Sequence, residues 1–565
     1  MNLTNTESDP LSAPHRSRLY RVAAPVLVAL GVALALFQFL SGRDIWMDEA
    51  LLSLNILRRS PAGLFQPLEL LQSAPIGFLL CEKTLSGSLP DPDFALRLFP
   101  LLCFVAGLVA FERIMRRSVP RDGFALAAVA LYAVSNGLLY FSCEVKQYGV
   151  DAMFATFLLG VATTPLPPER IRARRLAALG STAVFFSNAA CLVLPGVWLH
   201  WVLSREDSRK EWRWLWVGAA WAAAFAVYFA LFFNDPNRAQ MQHNWEYLFP
   251  AFPFRGTGFV GGLRMIPGKM RHLLLFAFGF HPVALGVAVA AFGGLVAAIR
   301  RRAWPLLALV ALPPALHVVV AMLRLYPLDI RLMIYQTPIV LLAMAIPGME
   351  PCRGRRDSRG FGLLALPVLA VLLLVPNLPL RRCEQRACIQ YIAEHIGPGD
   401  RVAVGARLRS AFSYYATTRR IPDAILRLGA DPRGDGLVFL SECGLAPEYC
   451  RRTGDELHGR TWVIDGWDLP GSETPKGAWE SAVRWATRRY TGFGDLRPFF
   501  AQFERHLVEH HGGKLLDEFV SYGAKASLYE FPSRSVPLGN GGGEAPARRD
   551  VDKAVEGEAA VDAQQ

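Results

Sequence analysis

Charged residues are scarce in this chain of 565 residues, where they make up 19% of the sequence against 52% hydrophobic residues. The mean hydropathy is +0.25. Apolar runs of about 20 residues recur along the chain, and each is long enough to cross a bilayer. The composition therefore excludes an ordinary soluble multidomain protein and predicts a polytopic α-helical membrane protein.

The sequence also lacks a glycine-rich phosphate loop, a dinucleotide-binding fingerprint and an internal repeat. A nucleotide site of the common kinds is therefore not expected, and a transporter built from two similar halves is disfavoured. The formal net charge of +12 does not indicate a nucleic-acid partner. The arginine clusters fall between apolar runs, which is what the positive-inside rule requires of a membrane protein.

The apolar runs and their basic flanks predict about eleven crossings. The first run, about residues 19–40, is expected to be a retained helix with a cytoplasmic N-terminus. Between residues 175 and 205 both flanks are basic, so we expect a short hairpin that is broken near Ser187 and Asn188. The other spans are expected at residues 96–115, 123–142, 147–164, 213–233, 273–299, 304–325, 329–348 and 361–380.

This topology divides the chain into four parts. Residues 1–18 form a cytoplasmic segment, and residues 19–380 form the membrane domain, with long loops at 41–96 and 234–271 on the outer side. Residues 381–533 alternate between helix and strand patterns and predict a C-terminal extracytoplasmic α/β domain. The tail, residues 534–565, is expected to be disordered because it is rich in Gly, Ala, Glu and Arg.

Two adjacent carboxylates, Asp48 and Glu49, follow the first apolar run directly. Carboxylates at a membrane boundary are costly unless they are hydrated or partnered. One interpretation is the start of a helix, where acidic side chains complement the helix dipole. The other is a functional site, and the surrounding motifs bear on that choice.

Five motifs follow one another in order along the first 350 residues. They are Trp46-x-Asp48-Glu49-Ala50, the segment Ala74–Gly77, "ALRLFP" with Arg97, "FSCEVKQY" with Glu144, Lys146 and Tyr148, and "RLYPLDIRLMIYQTP" with Tyr326 and Arg331. In this order they resemble the GT-C glycosyltransferases (glycosyltransferase family 39-like). The resemblance is to relatives of protein O-mannosyltransferases, of the lipid A aminoarabinose transferase and of rhizobial core sugar transferases.

The resemblance implies a GT-C fold and an inverting glycosyltransferase. Such an enzyme moves a sugar from a polyprenyl-phosphate carrier to a hydroxyl and inverts the configuration of the anomeric centre. The acceptor would be a glycan, lipid or protein of the cell envelope, at the outer face of the bacterial cytoplasmic membrane. Membrane lipid is an expected partner and nucleic acid is not. No cofactor is certain and a divalent cation stays open. A lipid or polysaccharide transporter, or flippase, and a non-catalytic envelope assembly protein are the alternatives.

The chemistry implied for this family needs a base for the attacking hydroxyl. Asp48 is our first candidate, with a pKa raised by partial burial and by the second carboxylate. Glu49 is expected to orient the site, although the two roles are exchangeable. Glu144 is expected to be a second acidic residue of the same cavity, or else the ion-pair partner of Lys146.

The leaving phosphate needs cations on the outer side, and the candidates are Arg331, Arg97, Lys146 and Arg324. Snorkelling to a lipid headgroup explains any one of them equally well. Trp46, Tyr148, His243, Trp245 and Tyr326 are the candidate substrate contacts, although an interfacial aromatic belt also explains such residues. His506 and His510 have helical i, i+4 spacing, but no third ligand is visible, so no metal site is expected.

Overall fold

A computed structural model describes most of the chain. The described residues are 16–163, 169–204, 213–232, 241–243, 249, 258–350, 358–430, 437–439, 457, 459–466, 505, 507–509, 511–521 and 524–532.

Within this part of the chain the structure is mostly helical. The helices are α1 (Arg18–Leu40), α2 (Met47–Arg58), α3 (Ile76–Leu85), α4 (Pro92–Ser118), α5 (Asp122–Ala133), α6 (Asn136–Phe141), α7 (Tyr148–Thr163), α8 (Glu169–Phe186), α9 (Ala190–Leu203), α10 (Arg213–Phe232), α11 (Gly258–Phe278), α12 (His281–Arg300), α13 (Trp304–Met322), α14 (Ile330–Met333), α15 (Thr337–Ala345), α16 (Ser358–Gly362), α17 (Ala365–Leu374), α18 (Gln385–His395), α19 (Ala406–Thr417) and α20 (Asp423–Leu426).

Seven helices in the described ranges are long and apolar enough to cross a membrane, and α5, α7 and α9 are shorter apolar helices. The chain is thus a multi-pass membrane protein, as its composition predicts. The seven are Arg18–Leu40, Pro92–Ser118, Trp214–Phe232, His281–Arg300, Trp304–Met322, Ile330–Met349 and Gly360–Asn377. The last two are composite: Ile330–Met349 joins α14 and α15 through 3-10 turns, and Gly360–Asn377 contains the end of α16, all of α17 and a 3-10 turn. The full expected set of eleven crossings remains a prediction.

The expected hairpin between residues 175 and 205 is confirmed. Helix α8 ends at Phe186 and α9 begins at Ala190. The hydroxyl of Ser187 accepts a hydrogen bond from the Ala190 amide, so this side chain satisfies one of the amides that a helix start leaves free. The polar pair Ser187 and Asn188 is therefore where the apolar stretch turns.

Two expected spans are each broken into two helices, which corrects the sequence prediction. The span 123–142 is interrupted at Ser135, between α5 and α6, and the span 273–299 is interrupted at Gly279, between α11 and α12. The breaks face each other: Ser135 donates to the Ala277 carbonyl at 2.6 Å, and Asn136 donates to the Phe276 carbonyl at 3.0 Å. These side chains satisfy carbonyls that the end of α11 leaves without helical partners.

The C-terminal part contains a five-stranded sheet, which confirms the expected α/β architecture. Its strands are β1 (Arg401–Val404), β2 (Leu437–Phe439), β3 (Gly459–Gly466), β4 (Lys514–Ser521) and β5 (Ala524–Phe531). Their order across the sheet is β2-β1-β3-β5-β4. The first three pair in parallel, whereas β4 and β5 form an antiparallel hairpin. Helix α18 packs on the sheet, and α19 packs against α2 in the 41–96 loop.

Candidate functional site

The acidic pair lies at one end of the helical bundle, where several helix ends meet. Helix α1 ends just before it, α4 begins near it, and the segments leading into α7 and α14 come to the same place. A short extended segment from Gly42 to Trp46 leads into α2, which begins at Met47. The interpretation of the pair as a helix start is therefore confirmed, because Asp48 and Glu49 occupy the first turn.

Glu49 is fully buried and is held by cations. Its carboxylate accepts two hydrogen bonds from Arg97 Nη2, at 2.9 and 3.1 Å, and one from Arg97 Nε at 3.1 Å. Arg43 lies 3.6 Å away, and the Val145 amide donates to Oε1 at 3.0 Å. We call Glu49, Arg43 and Arg97 the closed cluster. Burial opposes ionisation, but Arg97 and Arg43 hold the pKa of Glu49 below its usual value.

The remaining hydrogen-bond donors of Arg97 contact backbone carbonyls. Nη1 donates to the Arg43 carbonyl at 2.6 Å, and Nη2 donates to the Asp44 carbonyl at 3.1 Å. Arg97 was expected to bind the donor phosphate. In the structure its hydrogen bonds instead connect α4 to the extended segment before α2, so these contacts stabilise the fold.

Asp48 points in a different direction and its side chain is 18% exposed, against 0% for Glu49. Arg331 Nη1 donates to its Oδ2 at 2.6 Å, and Lys146 Nζ lies 3.4 Å from its Oδ1. We call Asp48, Lys146 and Arg331 the open cluster. Residues from three separate stretches of sequence are thus brought together.

Both cations of the open cluster are oriented by a second acceptor. Arg331 Nε donates to Asp329 at 3.0 Å, and the same carboxylate caps α14 through the Arg331 amide. Lys146 donates to the Gln72 side chain at 2.7 Å. Each cation is therefore fixed beside Asp48 with donors to spare.

The pKa of Asp48 differs from the expectation. Burial alone would raise it, but Lys146, Arg331 and Arg382 together hold the pKa of Asp48 below its usual value. The neighbouring Glu49 was expected to raise it. The sequence argument failed because Glu49 is neutralised within its own cluster, while two cations adjoin Asp48.

Glu144 lies beside this pair and contacts Trp46. Trp46 Nε1 donates to Glu144 Oε1 at 3.1 Å, and Glu144 is fully buried. Burial first, and then the charge of Glu49, raise the pKa of Glu144 to about 7. It is thus a second acidic residue near Asp48, and its hydrogen-bond donor is an indole.

Arg382 is a residue of this site that the sequence analysis missed. Its guanidinium lies over the Trp46 ring, and it interacts electrostatically with Asp48 and Glu144. Burial lowers the pKa of Arg382 to about 10. The available signal was its position, since the pair Arg381 and Arg382 follows the last apolar run directly.

The other candidate substrate and phosphate contacts are placed as follows. Tyr148 is buried, with its ring 4.9 Å from that of Phe141. Tyr326 packs 5.1 Å from the His317 ring.

Arg324 has a positive φ of 57° and its carbonyl accepts from Gln242. His243 is exposed. Trp245, His506 and His510 lie outside the described residues. Within the described ranges, no group of three or more His, Cys, Asp or Glu residues is arranged to hold a metal ion.

Two solved structures of ArnT from Cupriavidus metallidurans are similar to this chain. The one bound to undecaprenyl phosphate has 12% sequence identity and a TM-score of 0.37, and the match covers 91% of this chain and 98% of that one. The apo structure has 13% identity and a TM-score of 0.35, with coverage of 90% and 98%. No family model and no curated protein match the chain.

Both TM-scores are below 0.5, so what this chain does has to be inferred from its own side chains.

Proposed function

We propose that this chain is an inverting membrane glycosyltransferase. It moves a monosaccharide from a polyprenyl-phosphate carrier to a hydroxyl of a cell-envelope glycan, lipid or protein, at the outer face of the cytoplasmic membrane. The observation that carries the proposal is the open cluster, in which one partly exposed carboxylate lies against two oriented cations. Transfer from a lipid phosphate needs both a base and a positively charged phosphate site.

The reaction is a single displacement. Asp48 takes the proton of the acceptor hydroxyl, whose oxygen attacks the anomeric carbon of the donor. The bond from that carbon to the phosphate oxygen breaks, and the carrier leaves as a phosphate monoester with the electron pair. One displacement inverts the anomeric centre.

Arg331 and Lys146 hold the phosphate in this proposal. Arg331 is planar and can contact two phosphate oxygens, whereas Lys146 acts as a point charge. The departing monoester carries one more negative charge than the donor does, so both cations stabilise it more strongly as the reaction proceeds.

The ion pairs of Asp48 then acquire a role in the reaction. Arg331 and Lys146 reduce the proton affinity of Asp48 while they contact it. A bound phosphate competes for both cations, draws them away from Asp48 and so restores its basicity. The base is therefore strongest when the donor is in place.

Several residues are proposed to act around this centre. Trp46, Tyr148 and Tyr326 contact the sugar or the acceptor, and Glu144 adds acidic charge near Asp48. Glu49 orients the start of α2 through the closed cluster and does not take the proton, because it is buried and doubly paired.

Mass spectrometry of envelope glycolipids and glycoproteins from a deletion strain tests this proposal. We expect one sugar to be missing, to return with the wild-type gene and to stay absent with Asp48→Asn. The matched control is Glu69→Gln, which removes an exposed carboxylate paired with Arg59 in the same loop. Asp48→Asn should lower the rate by about 10²- to 10⁴-fold, the range for loss of a general base.

The alternatives predict different outcomes. A flippase or transporter would leave every sugar linkage made but misplaced across the membrane. An assembly protein without catalysis would be complemented equally well by Asp48→Asn and by the wild type. Either result contradicts the proposal.

A further inference from the structure

The extended segment from Gly42 to Trp46, which leads to Asp48 of the open cluster, is attached by hydrogen bonds to the C-terminal part of the chain. Arg386 Nη2 donates to the Gly42 carbonyl at 2.5 Å, and its amide donates to Asp44 at 2.6 Å. Its Nε also pairs with the Asp44 carboxylate. One arginine of α18 thus contacts the segment at two residues, more than 340 positions away in sequence.

Two further side chains of the C-terminal part complete this attachment. The hydroxyl of Tyr415 accepts from the Ile45 amide at 2.7 Å, and Gln385 donates to the Ile45 carbonyl at 3.0 Å. Both backbone groups of Ile45 are therefore satisfied by α18 and α19. Extended segments have no hydrogen bonds of their own, so such contacts decide where the segment lies.

The charge on Asp44 makes the attachment specific. The Asp44 side chain is 2% exposed, and a buried carboxylate requires a paired cation. Arg386 supplies that cation. If Arg386 is removed, Asp44 has to move towards water or take up a proton, and either change displaces the segment.

The consequence for the site follows from the short distance along the chain. Asp44 precedes Asp48 by four residues, and between them Trp46 contacts Glu144 and is the N-cap residue of α2. A shift of the segment changes the position of Asp48 relative to Arg331, which lies 2.6 Å away. Misplacement of a reacting group by about 1 Å can cost about 10²-fold in rate.

We infer that Arg386 is a positioning residue for Asp48, so the C-terminal part completes the catalytic centre as well as shaping access for the acceptor. This inference rests on the proposed function, because it assigns a role in the same reaction. Arg386 acts through Asp44 and Gly42 and need not touch substrate.

Arg386→Gln in the full-length protein tests the inference. With rates normalised to the amount of folded protein, we expect kcat to fall by about 10- to 100-fold and the donor KM to be nearly unchanged. Arg386→Lys keeps the charge opposite Asp44 and should recover part of the rate. The control is Arg460→Gln, which breaks an ion pair with the buried Asp400 within the C-terminal part and should leave kcat unchanged.

Hydrogen–deuterium exchange gives a readout that does not depend on activity. Amides of residues 42–50 should exchange faster in Arg386→Gln than in the wild type, and at the wild-type rate in Arg460→Gln. Unchanged exchange and unchanged kcat in Arg386→Gln would overturn the inference even if the wild type transfers sugar. If the wild type transfers no sugar from any carrier, the proposed function fails, while the exchange experiment still tests the attachment.

Discussion

Two ion clusters form on adjacent residues of one helix and have opposite environments. The closed cluster holds Glu49 with 0% exposure between Arg97 and Arg43, and the remaining donors of Arg97 contact backbone carbonyls. The open cluster holds Asp48 with 18% exposure between Arg331 and Lys146. Neighbours on a helix point about 100° apart, so adjacency in sequence separates these side chains in space.

The difference in environment distinguishes residues that stabilise the fold from residues that can take part in the reaction. An ion pair that is buried away from solvent orders the chain and is not accessible to a substrate. A partly exposed pair with spare donors can exchange one partner for another. We therefore expect substitutions in the closed cluster to affect folding and those in the open cluster to affect transfer.

The largest expected effect is on folding, from Glu49→Gln. Removing the carboxylate leaves Arg97 and Arg43 buried with an uncompensated charge, which should cost about 3–5 kcal/mol of stability. Yield of folded protein in mild detergent and thermal melting measure the loss. Glu69→Gln is the exposed counterpart, and we expect a change within about 0.5 kcal/mol. Equal stability of the two variants would contradict the comparison.

The next effect is on donor binding, from Arg331→Gln. Loss of the planar cation should raise the donor KM and lower kcat, with a combined cost of about 100-fold in kcat/KM. Arg331→Lys should restore the charge without the two-oxygen contact and recover only part of that. The control is Arg301→Gln. Arg301 directly follows α12, and the substitution breaks its ion pair with Glu350. A normal donor KM and kcat in Arg331→Gln would remove Arg331 from the phosphate site.

A smaller effect is expected at Lys146. Lys146→Gln should lower kcat/KM by about tenfold, since one of two cations is lost and Arg331 remains. Lys146→Arg should be close to wild type, because it keeps the positive charge beside Asp48. Kinetics with a fixed lipid-linked donor measure both variants. A larger loss in the arginine variant than in the glutamine variant would show that charge is not what the position contributes.

The smallest effect is on the pH dependence, through Glu144. Its pKa of about 7 means that this carboxyl ionises near neutral pH. Deprotonation adds negative charge near Asp48 and makes it a better base, so the wild-type rate should rise as pH increases through about 7. Glu144→Gln cannot ionise, and its rate should be flat over that range. A rise of the same size in the variant would assign the ionisation to another group.

The sequence predicts part of this arrangement well. The motifs contain Asp48, Lys146 and Arg331, which the structure brings together, and the α/β architecture expected for residues 381–533 is found within their described part. The partners of Arg97 could not be predicted from the sequence. An arginine that binds phosphate and an arginine that is buried against Glu49 would both be found next to an apolar run, so sequence position does not distinguish them. Only packing decides which carboxylate an arginine reaches.

The misjudged spans and the C-terminal attachment share a physical cause. Hydropathy is almost unchanged by one Ser or Gly, so the breaks at Ser135 and Gly279 are hidden in apolar runs. The contacts of Arg386 join residues more than 340 positions apart, and no local pattern specifies them. Predictions from local sequence fail where single polar groups satisfy the backbone across long separations.

The affinity of the detergent-solubilised protein for polyprenyl phosphate, wild type against Asp48→Asn, tests the central claim most directly. Asp48 and the phosphate compete for Arg331 and Lys146, so removing the Asp48 charge should tighten binding by about three- to tenfold, while sugar transfer is lost. Glu69→Gln should bind as the wild type does. Unchanged or weaker binding by Asp48→Asn would contradict the claim that these two cations serve both the base and the phosphate.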